Sequence, residues 1–237
     1  MSARRPRKTE LSRSRIELYL ECPRCFYEEV VNGVKRPRGP AFTLNIAVDS
    51  LLKAEFDKYR ATQQSHPLFE TVGLRANPHA DARLDKWRHN FTGVRWQDEE
   101  TGWTFYGAID DLWRAPDGRM LVADYKATAK KSELDAEALY PGYKRQMEMY
   151  QFLVSQQGFE VSDTAWFVYA NGISTADAFE DVLRFRTKLI PYVGDRSWVA
   201  KTFRDAVRTL SGPPPAPGEE CEWCRFAAAR RTDTLSG

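Results

Sequence analysis

The cysteine pattern is the feature that most constrains how this chain folds. All four cysteines among the 237 residues fall in two Cys-x-x-Cys pairs, Cys22 with Cys25 and Cys221 with Cys224. This spacing lets two thiolates from one turn of chain reach the same metal centre. A redox-active motif needs only one pair, and four unrelated buried thiols would not cluster at both ends. We therefore expect the intervening residues to form a core whose two ends meet at a four-cysteine metal site.

The composition is that of a globular domain and excludes several classes of protein. Hydrophobic residues make up 42% and charged residues 29%, which excludes a disordered or collagen-like chain. No apolar run approaches ~20 residues, so we expect no membrane-spanning helix. The first fifteen residues lack the apolar stretch of a secretory leader, so we expect a cytoplasmic protein with reduced cysteines.

The choice of catalytic groups is also limited. The chain has three histidines, and it contains no metalloprotease, serine-hydrolase or P-loop motif. Any catalytic chemistry must therefore depend mainly on carboxylates, lysine and a metal ion.

Residue patterns predict three segments: a flexible basic arm over residues 1–15, a domain over 16–210, and a proline-rich linker with the second cysteine pair over 211–237. The arm has six basic side chains and one acidic side chain, and it could lie on phosphates. Hydrophobic periodicity predicts an α/β domain, with residues 60–80 as a loop. The predicted helices are 12–31 (interrupted at Pro23), 42–59, 81–89, 143–157 and 196–210, and the predicted strands are 93–100, 103–115, 119–128, 164–171 and 182–191.

A predicted hairpin in the middle of the chain carries the candidate chemistry. Asp124 and Lys126 are two residues apart on one strand and therefore share a face. A three-residue turn at 116–118, with Gly118 in the left-handed conformation, places Asp110 directly opposite Asp124. Two carboxylates this close repel unless a proton or a cation lies between them. A divalent ion with oxygen ligands suits the pair, whereas a two-residue turn would put the aspartates on opposite faces.

Three short motifs in this region resemble the RecB-like branch of the PD-(D/E)XK nucleases. The motifs are Gly107-x-Ile109-Asp110, Asp124-Tyr125-Lys126 and Gln146-x-x-x-Tyr150. Cysteine pairs bracket them, as in relatives such as the CRISPR adaptation exonucleases and AddB-type helicase–nuclease subunits. The resemblance implies a restriction-endonuclease-like fold, with a central mixed sheet that contains an antiparallel meander, flanking helices, and ends clasped by the cysteines.

The resemblance also implies a role for each candidate residue. Asp110 and Asp124 would bind Mg²⁺ or Mn²⁺, and Lys126 would orient the attacking water or stabilise the transition state. Gln146 and Tyr150 would line the site or contact the substrate strand. The implied reaction is metal-assisted hydrolysis of DNA phosphodiesters, with exonuclease action favoured over endonuclease action. The implied substrate is DNA with single-stranded character, in repair, recombination or mobile-element defence, and a helicase or a recombination or CRISPR-type protein is the implied partner.

The sequence departs from this family at two places. Where many relatives carry a metal-binding histidine in the helix before the strands, this chain has Asp49, which can also ligate Mg²⁺. Many relatives have one N-terminal and three C-terminal cysteines, whereas this chain has two and two. The resemblance implies a [4Fe–4S] cluster at Cys22, Cys25, Cys221 and Cys224, and the spacing by itself favours Zn²⁺.

Two readings other than an active enzyme follow from the same residues. One is a nucleic-acid-binding protein with a weakened or inactive nuclease site, and the other is a structural module clasped by zinc. Neither would require Asp110, Asp124 and Lys126 together, so their joint presence favours the enzyme.

Overall fold

The computed structural model describes residues 9–37, 39, 42–130 and 135–233, with side chains up to residue 230. The helices are α1 (Arg13–Glu21), α2 (Pro23–Tyr27), α3 (Thr43–Thr62), α4 (Pro67–Glu70), α5 (Leu84–Arg88), α6 (Pro141–Ser155), α7 (Val199–Ser211) and α8 (Glu222–Asp233), and a π-helical turn (Glu28–Asn32) follows α2. The strands are β1 (Glu10–Ser12), β2 (Asn77–Pro78), β3 (Val94–Gln97), β4 (Thr104–Gly107), β5 (Asp111–Arg114), β6 (Met120–Thr128), β7 (Thr164–Gly172) and β8 (Phe185–Val193). None of the helices in these ranges is long and apolar enough to cross a membrane.

The chain divides into two compact units. The first combines Met1–Pro40, Arg95–Tyr106 and Ser197–Gly237, and the second combines Ala41–Val94 and Gly107–Arg196. This division cuts across the predicted 16–210 domain. The reason is that β4 pairs with β1, and that α7 packs against α1 and α2.

A five-stranded mixed sheet forms the second unit, in the order β2-β5-β6-β7-β8. Only the β6–β7 pair is parallel, and α6 makes the crossover that a parallel connection requires. On one face, Ala123 and Tyr125 of β6 pack in an apolar core with three α3 side chains, Val48, Leu52 and Phe56. Because side chains alternate along a strand, Asp124 and Lys126 project from the opposite face of β6.

The β5–β6 hairpin has the predicted register. Asp111 pairs with Ala123 and Arg114 with Met120, and Gly118 has a φ of +87° in the three-residue turn. The predicted single strand over 103–115 is wrong, however, because β4 and β5 belong to different sheets. The meander is therefore not continuous within one sheet.

The break between β4 and β5 has a local cause in α5. The backbone N–H of Ile109 donates to the carbonyl of Trp87 at 3.2 Å, and the Arg88 guanidinium donates to the carbonyl of Asp110 at 2.9 Å. Backbone groups that pair with α5 cannot also pair with a neighbouring strand. The break leaves Asp110 just ahead of the first paired residue of β5.

The first unit contains a three-stranded sheet in the order β1-β4-β3. Leu11, in β1, pairs with Phe105 and is fully buried. The predicted flexible arm over 1–15 is therefore corrected for residues 10–15, which lie in β1 and α1, whereas residues 1–8 lie outside the described ranges. In the β3–β4 turn, the buried Asp98 accepts a hydrogen bond from Arg204 of α7 at 2.7 Å.

A close backbone contact lies beside the break. Gly93 has a φ of +55°, and a Cβ atom added there would lie 2.5 Å from the carbonyl oxygen of Gly107. Only glycine lets the two backbone segments approach this closely. Gly93 thus helps to fix the chain that leads from β4 into Asp110.

We predict that Gly93→Ala lowers the free energy of unfolding by more than Gly73→Ala does. Gly73 has a similar φ of +64° but open space where its Cβ would be, so alanine there costs only ~1–2 kcal/mol for the left-handed backbone. At Gly93 the clash adds ~1–3 kcal/mol. Urea denaturation of both variants measures the difference, and equal losses would contradict the contact.

Candidate functional site

Strand β6 places an aspartate and a lysine on one face of the sheet. Asp124 and Lys126 form an ion pair, and their side chains are only 1% and 15% exposed. Burial favours the neutral amine, but the charges of Asp124 and Asp110 outweigh it and raise the pKa of Lys126. Lys126 is therefore charged at neutral pH.

Asp110 lies beside this pair, immediately before β5. The backbone N–H of Tyr125 donates to Asp110 Oδ2 at 3.0 Å, and Lys53 Nζ lies 3.0 Å from Asp110 Oδ1. Burial disfavours the charged carboxylate, but the charges of Lys53 and Lys126 outweigh this effect and lower the pKa of Asp110. Asp110 is therefore ionised at neutral pH.

The surroundings of Asp124 fit a divalent cation. Burial raises its pKa to about 7, the adjacent Asp110 adds to the rise, and Lys126 offsets it only in part. Within the described part of the chain, the buried Asp124 Oδ2 has no hydrogen-bond partner besides the Lys126 ammonium with which it forms the ion pair. Carboxylate oxygens are the ligands that Mg²⁺ and Mn²⁺ prefer, and a cation there would add to the positive charge that Lys126 supplies only in part.

Helix α6 brings Gln146 and Tyr150 to the same place. Gln146 Nε2 donates to Asp124 Oδ1 at 2.9 Å and to the Tyr150 hydroxyl at 3.0 Å. Lys126 Nζ lies 3.5 Å from Gln146 Oε1. Because Tyr150 is only 4% exposed, it can orient Gln146 but has little surface to offer a substrate.

Lys53, which was not predicted as a site residue, connects Asp49 to the site. Lys53 Nζ lies 2.8 Å from Asp49 Oδ2 and 3.0 Å from Asp110 Oδ1. Asp49 therefore faces the site and not open solvent. Among the described residues, however, only the four cysteines bring three or more potential ligand atoms within 4.8 Å of one another, so Asp49, Asp110 and Asp124 do not form such a group.

The four cysteines converge in the first unit, as predicted. Cys22 Sγ lies 3.7 Å from Cys224 Sγ, and Cys25 Sγ lies 3.6 Å from Cys221 Sγ and 3.9 Å from Cys224 Sγ. All four are free thiols, and their sulfurs lie within 4.8 Å of one another.

Local helix geometry explains how each pair presents both sulfurs. Cys22 caps α2, where its sulfur accepts a hydrogen bond from the backbone N–H of Cys25. Cys221 directly precedes α8, and Cys224 lies in the first turn of that helix. One helical turn thus brings the two thiols of each pair to the same side.

The surroundings of the cluster favour the thiolate at Cys221 and the neutral thiol at Cys25. Arg36 donates to Cys221 Sγ at 3.5 Å. Burial disfavours the Cys221 thiolate, but hydrogen bonds from the Cys224 backbone and from the Cys25 and Cys22 thiols lower its pKa to about 6. Burial raises the pKa of Cys25 to about 12. A bound metal ion would be needed to ionise all four, since the thiolate is the metal-binding form.

A sequence model for the PD-(D/E)XK nuclease superfamily matches residues 46–229. The chain belongs to this superfamily. The match includes all six active-site candidates from Asp49 to Tyr150 and the second cysteine pair. The mixed α/β architecture is consistent with the restriction-endonuclease-like fold of the superfamily.

Other comparisons add little to this assignment. A solved structure titled "Crystal structure of SSO0001" has 15% sequence identity, a TM-score of 0.43, and coverage of 93% of this chain and 84% of its own. That similarity is too low to carry an argument about function. The search of curated proteins returned no match.

A buried network of hydrogen bonds and ion pairs around Asp111 supports this PD-(D/E)XK site and was also not predicted from the sequence. Asp111 is fully buried, and it accepts hydrogen bonds from Arg88 at 3.1 Å, Trp113 Nε1 at 2.9 Å and the Tyr125 hydroxyl at 2.7 Å. Arg60 of α3 also forms an ion pair with it. The sequence feature that could have indicated Asp111 is its position as a second acid next to Asp110 in an apolar strand. For Lys53 the corresponding feature is its i, i+4 spacing from Asp49.

We predict that Cys221→Ser lowers the melting temperature and releases a bound metal. The Cys25–Cys221 contact spans 196 positions, and a disulfide that closes a loop of ~100 residues contributes ~4–5 kcal/mol in the chain-entropy model. A metal ion that links the same segments should stabilise the fold comparably. Calorimetry and elemental analysis measure both effects.

A chelator provides the control for this variant. It should lower the melting temperature of the wild type towards that of Cys221→Ser and leave the variant unchanged. Equal melting temperatures for variant and wild type, both free of metal, would contradict a metal clasp.

Proposed function

We propose that this PD-(D/E)XK protein is a Mg²⁺- or Mn²⁺-dependent deoxyribonuclease, acting more as an exonuclease than as an endonuclease. The observation that carries the proposal is the grouping of two carboxylates and one buried ammonium, from Asp110, Asp124 and Lys126, at one position on the sheet. Phosphodiester hydrolysis needs charge neutralisation at an anionic ester and an oriented water. These three side chains can serve both needs.

In this proposal each side chain has a separate task. Asp110 and Asp124 would hold the divalent cation, which would act as the Lewis acid when bound. Lys126 is charged, so it would donate hydrogen bonds to the attacking water or to a phosphate oxygen and would not act as a general base. Gln146 would fix Asp124 through its 2.9 Å hydrogen bond, and Tyr150 would fix Gln146.

We propose that the cysteine cluster holds a single zinc ion. Ligands of a tetrahedral site with Zn–S bonds of about 2.3 Å lie about 3.8 Å apart, and the observed separations of 3.6, 3.7 and 3.9 Å agree with this value. In a [4Fe–4S] cluster each thiolate binds a different iron, so the sulfurs would lie farther apart. The resemblance to cysteine-flanked relatives supports a [4Fe–4S] cluster instead. Visible absorbance of anaerobically purified protein would favour the [4Fe–4S] cluster over zinc, which is colourless.

The substrate and the pathway are inferred from the RecB-like resemblance. It supports DNA with single-stranded character, a helicase or a recombination or CRISPR-type partner, and a role in repair, recombination or mobile-element defence. Free thiols at all four cysteines fit a reducing compartment such as the cytoplasm.

A nucleic-acid-binding protein with a weakened nuclease site is the second candidate. The observation that favours it is the ion pair of Lys53 with both Asp49 and Asp110, which places a protein cation where a metal ion would bind. This candidate predicts DNA binding without cleavage at saturating Mn²⁺.

We predict that Asp124→Asn abolishes Mn²⁺-dependent cleavage of end-labelled DNA. The amide keeps the side-chain volume but removes a ligand charge, so we expect a loss on the order of 10³-fold, equivalent to several kcal/mol of transition-state stabilisation. Single- and double-stranded substrates, assayed with Mn²⁺ and with chelator, measure the effect.

Asp117→Asn is the matched control, because Asp117 lies exposed in the β5–β6 turn of the same hairpin. It should cleave like the wild type. Undiminished cleavage by a folded Asp124→Asn protein would refute the assignment of the site.

A further inference from the structure

Lys53 bridges two carboxylates from different elements. Its ammonium lies 2.8 Å from Asp49 Oδ2 and 3.0 Å from Asp110 Oδ1. Asp49 and Lys53 are one helical turn apart on α3 and directly follow Val48 and Leu52, which are buried against the sheet. The packing of α3 therefore fixes the direction of both polar side chains. A cation shared by two carboxylates is the arrangement that a divalent metal ion would also adopt.

The contacts of Asp110 leave one route for a metal ion. Its Oδ2 accepts a hydrogen bond from the backbone N–H of Tyr125 at 3.0 Å. This N–H belongs to the central strand β6 and cannot move freely. Its Oδ1 faces the ammonium of Lys53. A divalent ion and an ammonium bound to the same carboxylate would lie only a few ångströms apart and would repel each other strongly. Lys53 is therefore the group that must give way.

Lys126 is held in place more firmly than Lys53, so Lys53 is the lysine that can move its ammonium away from the carboxylates. Lys126 projects from the central strand β6, contacts Asp124 and Gln146, and lies 4.6 Å from the centre of the Tyr143 ring. Lys53 has a 21% exposed side chain on a helix at the edge of the site. Its flexible four-carbon stem lets the ammonium reach water without a backbone movement.

We propose that Lys53 is an internal cation that competes with the divalent metal ion for Asp110, and that the metal binds as the ammonium moves out into solvent. This inference rests on the proposed metal site at Asp110 and Asp124. It assigns to Lys53 the role of keeping the metal-free carboxylates neutralised and of setting the metal concentration at which the site fills.

The test is the affinity for Mn²⁺, measured by calorimetry or by electron paramagnetic resonance on the full chain without DNA. Lys53→Met removes the competing charge at similar volume, so we expect Mn²⁺ to bind about tenfold more tightly than in the wild type. Lys53→Gln should tighten binding in the same direction and retains a hydrogen-bond donor for the carboxylates. Lys58→Met, at an exposed position of the same helix, should bind Mn²⁺ like the wild type.

Lysine acetylation followed by mass spectrometry tests the proposal on the wild-type protein, whether or not the variants fold. The acetylated fraction of Lys53 should increase when Mn²⁺ is added, and that of the exposed Lys58 should stay constant. Lys53 labelling that is unchanged or reduced at saturating Mn²⁺ would overturn the proposal.

The outcomes separate this inference from the proposed function. Wild-type binding of Mn²⁺ with equal or weaker binding by both Lys53 variants would overturn the role of Lys53 and leave the nuclease site intact. A complete lack of Mn²⁺ binding by the wild type and by both Lys53 variants would overturn the metal site and this inference together.

Discussion

The candidate site depends on two carboxylates that lie side by side at the edge of an apolar core. Asp124 is almost completely buried, and Asp110 is close enough to raise its pKa. Like charges in such surroundings repel unless cations neutralise them. Lys126 supplies one positive charge from the same strand, and Lys53 supplies the other from α3. The remaining architecture of this unit serves to hold these four side chains in position.

Two sets of contacts provide that support. Val48, Leu52 and Phe56 anchor α3 to the sheet through apolar packing, which directs the adjacent polar face of the helix towards Asp110. The buried Asp111 is bonded to Arg60 of α3 and to Arg88 of α5, and it fixes the start of β5. A buried ion-pair network of this kind is stabilising only while all of its partners are present. Because Asp110 directly precedes Asp111, its position depends on residues that would take no part in the reaction.

Local sequence signals predicted the features that depend on local geometry. Gly118 in a three-residue turn determined the register of the β5–β6 hairpin, and alternation along β6 placed Asp124 and Lys126 on one face. The convergence of the cysteines followed from their spacing and from their position at both ends. Membership of the PD-(D/E)XK superfamily was expected from the conjunction of motifs and is supported by the family match over residues 46–229.

Features that depend on distant partners could not be predicted in this way. The break at 108–110 arises because Trp87 and Arg88 take the backbone groups that a continuous strand would need. The short strand β1 forms only because β4 offers it an edge. Lys53 was not predicted: its i, i+4 spacing from Asp49 allows the two side chains to meet, but nothing in the sequence shows that Lys53 also contacts Asp110.

Anomalous diffraction from a crystal soaked in Mn²⁺ tests the central claim most directly, because it locates the cation relative to each carboxylate. The account predicts a manganese peak at about 2.1 Å from one oxygen of Asp110 and one oxygen of Asp124. Manganese found only elsewhere, with both carboxylates ordered and still paired with their lysines, would contradict it.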